Sequence, residues 1–180
     1  MPRTTARILR STTLYEGPVF GVRRDWVIEP GGIRATRDVV THSGSVVLLP
    51  VLAGGRILLV RQYRHAVGQH LWELVAGRIE PGESPLAAAR RELLEETGYT
   101  ARRFKKLLSL FPTPGFVSEY MIVYAATGLV PGRARPEPDE RIFARAFSLP
   151  QLEQMIRRGS LRDAKSVAGI LFFARFPQGR

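Results

Sequence analysis

Two apolar runs, residues 46–52 and 56–62, stand on either side of Ala53-Gly54-Gly55. A glycine pair between strand-like runs is a turn signal, and it predicts a hairpin. Neither run alternates polar and apolar residues as a strand with one wet face would, so their sheet is expected to be covered on both faces. The flanking segments can supply the cover. The first forty-odd residues read as β-rich, with residues 26–29 and 33–40 flanking Pro30-Gly31-Gly32. A loop over 77–82, with Gly77 expected to relieve backbone strain, leads into a helix. Ser84 suits its N-cap, Pro85 its first turn and Gly98 its C-terminal stop, with Leu86, Ala89, Leu93, Leu94 and Thr97 on one face. Strands are expected over 104–111 and 120–127, joined by a loop at 112–119. A loop over 128–139, a strand over 142–148 and helices over 149–158 and 164–173 complete the chain, Gly159 ending the first of these helices. The pattern is an α/β or α+β layered domain with a mixed sheet.

Charge narrows the chemistry. The 180 residues carry 27 Lys and Arg against 16 Asp and Glu, a net +11, which favours an anionic partner. No aromatic-plus-basic motif or helix-turn-helix accompanies the charge, so no nucleic acid is expected. The longest apolar runs, 46–53 and 167–174, fall short of a membrane span, so no membrane partner is expected either. The N-terminus has no apolar signal core, and a cytoplasmic location is the expectation. Cysteine is absent, which excludes disulfides, zinc–thiolate sites and a cysteine nucleophile.

The acids, in contrast, are concentrated. Glu73, Glu80, Glu83, Glu92, Glu95 and Glu96 crowd one segment; Glu137, Asp139 and Glu140 form a second cluster. Glu92 and Glu96 are one helical turn apart, a spacing at which like charges cost roughly 0.2–0.5 kcal/mol per pair. A divalent cation between them reverses that sign, and oxygen-only ligation suits Mg²⁺ or Mn²⁺. Arg91 can pair with Glu95 at i,i+4, and Glu96 is expected at the surface.

Gly77, Glu83, Arg91, Glu92, Leu93, Glu95, Glu96 and Gly98 fit the spacing G-x5-E-x7-R-E-U-x-E-E-x-G-U, with Tyr99 in place of a final aliphatic residue. This resembles the box of the Nudix hydrolases. The resemblance implies a Nudix-type α/β/α sandwich with a mixed β-sheet, preceded by a small N-terminal β-rich segment. It divides the chain into a segment at 1–43, for dimerisation and substrate contact, and a hydrolase domain at 44–176. The implied reaction is divalent-metal-dependent cleavage of a nucleoside diphosphate linked to another group. The Ala76 carbonyl, Glu92, Glu95 and Glu96 would hold metal, Glu95 would also position water, and Glu83 and Arg91 would keep the loop–helix geometry of the catalytic set.

The flanks are similar to the ADP-ribose diphosphatase subfamily. They are Val60-Arg61-Gln62-Tyr63-Arg64, Leu71-Trp72-Glu73-Leu74-Val75-Ala76-Gly77, and Pro114-Gly115-Phe116-Val117-Ser118-Glu119. The resemblance implies a nucleotide-sugar substrate, a homodimer with exchanged N-terminal strands, and Arg64 and Arg37 on the diphosphate. It also puts Glu73, Gly115 and Glu119 in the substrate pocket. Arg37 reads equally as a plain exposed strand arginine. Trp26 and Phe20 are candidates to sandwich adenine; a Trp beside Val27-Ile28 also suits a core or an interface. Glu140 aligns best with the position where the family has a general base or a further metal ligand, with Glu137 and Asp139 as alternatives because Pro138 breaks the acidic run. His42, His65 and His70 have no partners at ligand spacing and read as structural. The expected activity is hydrolysis of ADP-ribose to AMP and ribose 5-phosphate. The competing readings are hydrolysis of another nucleotide sugar or nucleoside diphosphate derivative, and a non-catalytic ADP-ribose-binding regulator.

Overall fold

The computed structural model describes residues 5–134 and 141–176. The chain divides into two compact units, one of Met1–Gly44 with Phe111–Tyr120, the other of Ser45–Leu110 with Met121–Arg180.

The first unit is an antiparallel meander of β1 (Arg7–Glu16), β2 (Gly21–Ile28) and β3 (Arg34–Thr41), in that spatial order. The Pro-Gly-Gly signal forms the turn between β2 and β3. Gly31 and Gly32 adopt φ of 85° and 83°, and Glu29 N–H bonds the Ile33 carbonyl at 2.8 Å. Asp25 is buried in β2, where it accepts from Ser11 Oγ at 2.6 Å and Arg23 Nε at 2.9 Å. The segment Phe111–Tyr120 docks on the end of β3: Val40 N–H donates to the Phe116 carbonyl, and Ser118 N–H to the Val40 carbonyl. Ile8, Leu14, Tyr15, Val19, Phe20 and Ile33 are exposed in this unit.

The second unit holds β4 (Ser45–Pro50), β5 (Ile57–Arg64), β6 (Gln69–Glu73), β7 (Val75–Arg78), α1 (Pro85–Thr97), β8 (Tyr99–Leu110), β9 (Met121–Pro131), β10 (Phe143–Phe147), α2 (Leu149–Arg157) and α3 (Ala164–Arg175). A mixed sheet runs β7-β4-β9-β8, with β4 parallel to β9; an antiparallel sheet runs β10-β5-β6. Every residue of β4 is buried. Val46 and Leu48 face Ala88, Ala89 and Leu93 of α1, whereas Val47 and Leu49 join Ile57, Leu59, Leu152 and Ile170. One strand thus carries two apolar layers, as its unbroken hydrophobic run requires. The result is a mixed α+β layered fold.

Three local expectations are corrected. β4 and β5 do not form a hairpin ladder: beyond one bridge, Val51 to Ile57, they enter different sheets. Each is apolar on both faces, so each takes a central place, β4 between β7 and β9 and β5 between β10 and β6. Residues 128–131 are strand rather than loop, because β9 continues along β8 until Pro131 lies opposite Tyr99. The packed face of α1 is Ala88, Ala89, Leu93 and Glu96, and Leu86 is exposed.

Candidate active site

The site is assembled around α1. Its start is fixed by Ser84, whose Oγ accepts from Ala87 N–H, and its end by Gly98 at φ 73°. Between these caps the helix carries Arg91, Glu92, Glu95 and Glu96; Arg91 reaches Arg78 of β7 and Glu83 of the loop after it, and Glu92 lies against Gly77.

Arg91 organises the acids. Its Nε and Nη2 donate to Glu83 at 3.1 and 2.9 Å, its Nη1 to Glu92 at 2.7 Å and Glu95 at 3.1 Å, and Nη2 also to the Arg78 carbonyl at 3.0 Å. Those bonds use all five guanidinium donors. The loop, the strand and two helical carboxylates are therefore tied to one planar group. The Glu83 carboxyl is held below its ordinary range by the Arg91 hydrogen bonds, and the same bonds, Glu83 first, raise Arg91.

Gly77 lies in β7, not in the loop, and its φ is not positive. What it provides is space. A Cβ there would stand 1.9 Å from the Glu92 carboxyl, so that carboxylate is seated against the Gly77 Cα, one residue from the Ala76 carbonyl. Glu96 is 8 % exposed; it is a buried carboxylate, not the surface group expected.

A second charged cluster lies on β5, β6 and α3. Glu73, at the end of β6, is 2 % exposed. Arg64 grips it side-on, with Nε and Nη2 each 2.8 Å from a carboxylate oxygen. Lys165 Nζ donates to Glu73 at 2.5 Å and pairs with Asp163 at 2.9 Å. Burial alone would raise the Glu73 carboxyl; the hydrogen bonds and charges of Arg64 and Lys165 outweigh it and hold it low. The bond to Glu73 raises Arg64, with smaller contributions from the fields of Glu96 and Asp163.

The remaining candidates belong to the first unit. Arg37 on β3 is exposed and bonds Glu29 through Nε at 2.8 Å and Nη2 at 3.1 Å. Trp26 on β2 is half-buried, with the Arg10 guanidinium 4.8 Å above its ring. Phe20 packs on Tyr15, with ring centroids 5.6 Å apart. Gly115 is exposed, and Glu119 stands 3.7 Å from His42 Nδ1, which also accepts from Gly44 N–H at 3.0 Å. Glu137, Asp139 and Glu140 lie outside the described residues. The sequence reading missed Lys165, Asp163 and the Arg78 carbonyl. Only Asp163 has a local signal, as an N-cap that accepts from Ser166 N–H.

The donor set suits a hard divalent cation: carboxylates and a strand carbonyl, without sulfur. The seat of Glu92 beside the Ala76–Gly77 peptide fits such an ion. Among the described residues no three His, Asp or Glu side chains converge tightly enough to hold an ion as they stand. Glu92 and Glu95 instead share Nη1 of Arg91 as their hydrogen-bond donor.

The family model described as NUDIX domain matches residues 41–169. An ADP-ribose pyrophosphatase of Mycobacterium tuberculosis is 39% identical over 91% of this chain and 80% of its own length. An ADP-ribose pyrophosphatase of Bacillus subtilis is 32% identical over 88% of this chain and 87% of its own. A crystal structure of an ADP compounds hydrolase superposes with a TM-score of 0.82, at 22% identity, over 96% of this chain and 94% of that one.

Proposed function

The chain belongs to the Nudix family of hydrolases, and from that premise we propose that it splits ADP-ribose, with a divalent cation, into AMP and ribose 5-phosphate. The observation that carries the reading is the carboxylate cluster braced by Arg91 and seated on Gly77. The two relatives' names supply the substrate.

In this reading the Ala76 carbonyl, Glu92, Glu95 and Glu96 hold Mg²⁺, with Mn²⁺ as a substitute. The chemistry a divalent cation supplies at such a site is neutralisation of diphosphate charge and acidification of water. Arg64 binds a phosphate oxygen through the N–H groups it does not give to Glu73; its side chain is 40% exposed. Glu95 orients the attacking water. A carboxylate of the 137–140 segment, Glu140 first among them, takes a proton from it. One O–P bond forms, the bridging O–P bond breaks, and both products leave as phosphate monoesters. Arg91 acts through the carboxylates it holds, since its donors are already committed. Arg37, Trp26, Gly115 and Glu119 are proposed as substrate-contacting residues on the family resemblance alone.

A homodimer is part of the same proposal, supported by the exposed apolar side chains of the β1-β2-β3 sheet. So is a cytoplasmic location, because a charged diphosphate does not cross a bilayer unaided.

The test is a hydrolysis panel with Mg²⁺ or Mn²⁺: ADP-ribose, ADP-glucose, GDP-mannose, NADH, diadenosine polyphosphates and 8-oxo-dGTP. Preferred release of AMP from ADP-ribose is expected. Preference for another member would replace the substrate and keep the metal chemistry. Ligand binding without turnover would make the protein a regulator. Light scattering on the same preparation reads the assembly; a mass of 20.1 kDa would remove the dimer.

A further inference from the structure

Lys165 is a costly residue where it stands. It is the second residue of α3, at the positive end of the helix dipole, where a cation is disfavoured. Its side chain is only 10 % exposed, and it shares a nearly closed space with Glu73. Burying such a group is a poor way to gain stability, because apolar side chains of similar volume do as well or better. Its position is also unusually well fixed. Ser166 Oγ, fully buried, donates to Asp163 and accepts from the Leu74 N–H at 2.6 Å, tying the start of α3 to the residue after Glu73. Gly169 then lets α3 approach Leu74 so closely that a Cβ would meet its Cδ1 at 3.0 Å.

Glu73 therefore has two cationic partners of different character. Lys165 comes from a latched helix and is nearly enclosed. Arg64 comes from the end of β5, and its Nη1 edge takes no acceptor among the described residues. The enclosed cation fixes the carboxylate, and the carboxylate fixes the plane of the open guanidinium. An arginine held side-on by Nε and Nη2 keeps its outer donors aimed in one direction, which suits a phosphate oxygen.

We propose that Lys165 is a positioning residue for diphosphate recognition, holding Glu73 so that Arg64 presents a fixed donor edge to the substrate. This rests on the reading of Arg64 as a diphosphate ligand, and the test separates the two.

Binding of ADP-ribose in chelator, where no turnover occurs, is measured by calorimetry for wild type, Lys165→Met, Arg64→Met and the double variant; steady-state kinetics with Mg²⁺ follow. Lys165→Met is expected to weaken binding and raise KM about tenfold, with kcat within about twofold. Lys165→Arg is expected to restore most of the loss. The double variant is expected to bind no worse than Arg64→Met alone, since the lysine acts only through the arginine. Independent, multiplying losses would overturn the proposal, as would wild-type binding by a folded Lys165→Met beside a weakened Arg64→Met. Wild-type binding by Arg64→Met would instead remove the diphosphate reading, and the proposal with it. Should Lys165→Met fail to fold, Lys165→Gln carries the same comparison. Should the panel prefer another diphosphate, the same four proteins are read on that compound.

Discussion

The guanidinium of Arg91 shows how one side chain can replace several design decisions. Glu92 and Glu95 sit on adjoining turns of α1 and would repel; bonded to a common cation they become a shaped pair. Gly77 answers the same need by subtraction, since the Glu92 carboxylate occupies the volume of the side chain it lacks. Gly77→Ala is therefore expected to displace Glu92 and lower kcat/KM by about a hundredfold or more. Kinetics beside a thermal melt would check it. Near-normal turnover would show that the contact with Gly77 is dispensable.

At the scale of elements, what was legible in the sequence was what is local. The caps Ser84 and Gly98, the box spacing, the i,i+4 pair and the Pro-Gly-Gly turn all depend on residues a few positions apart. The Ala53-Gly54-Gly55 turn misled because strand pairing is non-local: the turn forms, but burial on both faces sends β4 and β5 to the centres of different sheets. The burial of Glu96 was illegible because it depends on what packs over the helix. The partnership of Glu73 with Lys165 spans 92 positions and leaves no periodic trace. Gly98 illustrates a local signal reinforced from afar. A Cβ there would meet Ala134 N at 2.6 Å and the Arg133 carbonyl carbon at 3.0 Å, besides requiring a left-handed backbone. Gly55, at φ 76°, faces open space. Gly98→Ala should cost about 1–3 kcal/mol and clearly more than Gly55→Ala in urea unfolding. Equal losses would mean that backbone strain alone matters.

For the whole molecule, the arginine-paired carboxyls set the response to acid. The Glu73 and Glu83 carboxyls are both held below their ordinary value of 4.5. A depressed folded-state pKa adds stability above the unfolded value, and that stability is lost as pH falls through the folded one. Stability is expected to be level between about pH 7 and 5 and to fall below about 4.5, with Glu73→Gln flattening that decline. The raised arginines titrate far above this window and do not contribute. Urea midpoints across the range would measure it; a decline beginning near pH 6.5 would implicate a histidine instead.

The parallel pairing of β4 with β9 has a consequence in time. Ser45 lies opposite Met121, so during synthesis the fully apolar β4 leaves the ribosome well before its parallel neighbour exists. At ~5–20 residues per second, the intervening stretch of about 75 residues takes on the order of 4–15 s. Late in that interval, once residues 75–97 have been made, β7 and α1 can dock on the strand, leaving its other edge open. The nascent chain thus carries a half-built sheet whose missing neighbour has yet to be translated, and that interval is when it is most exposed to mispairing.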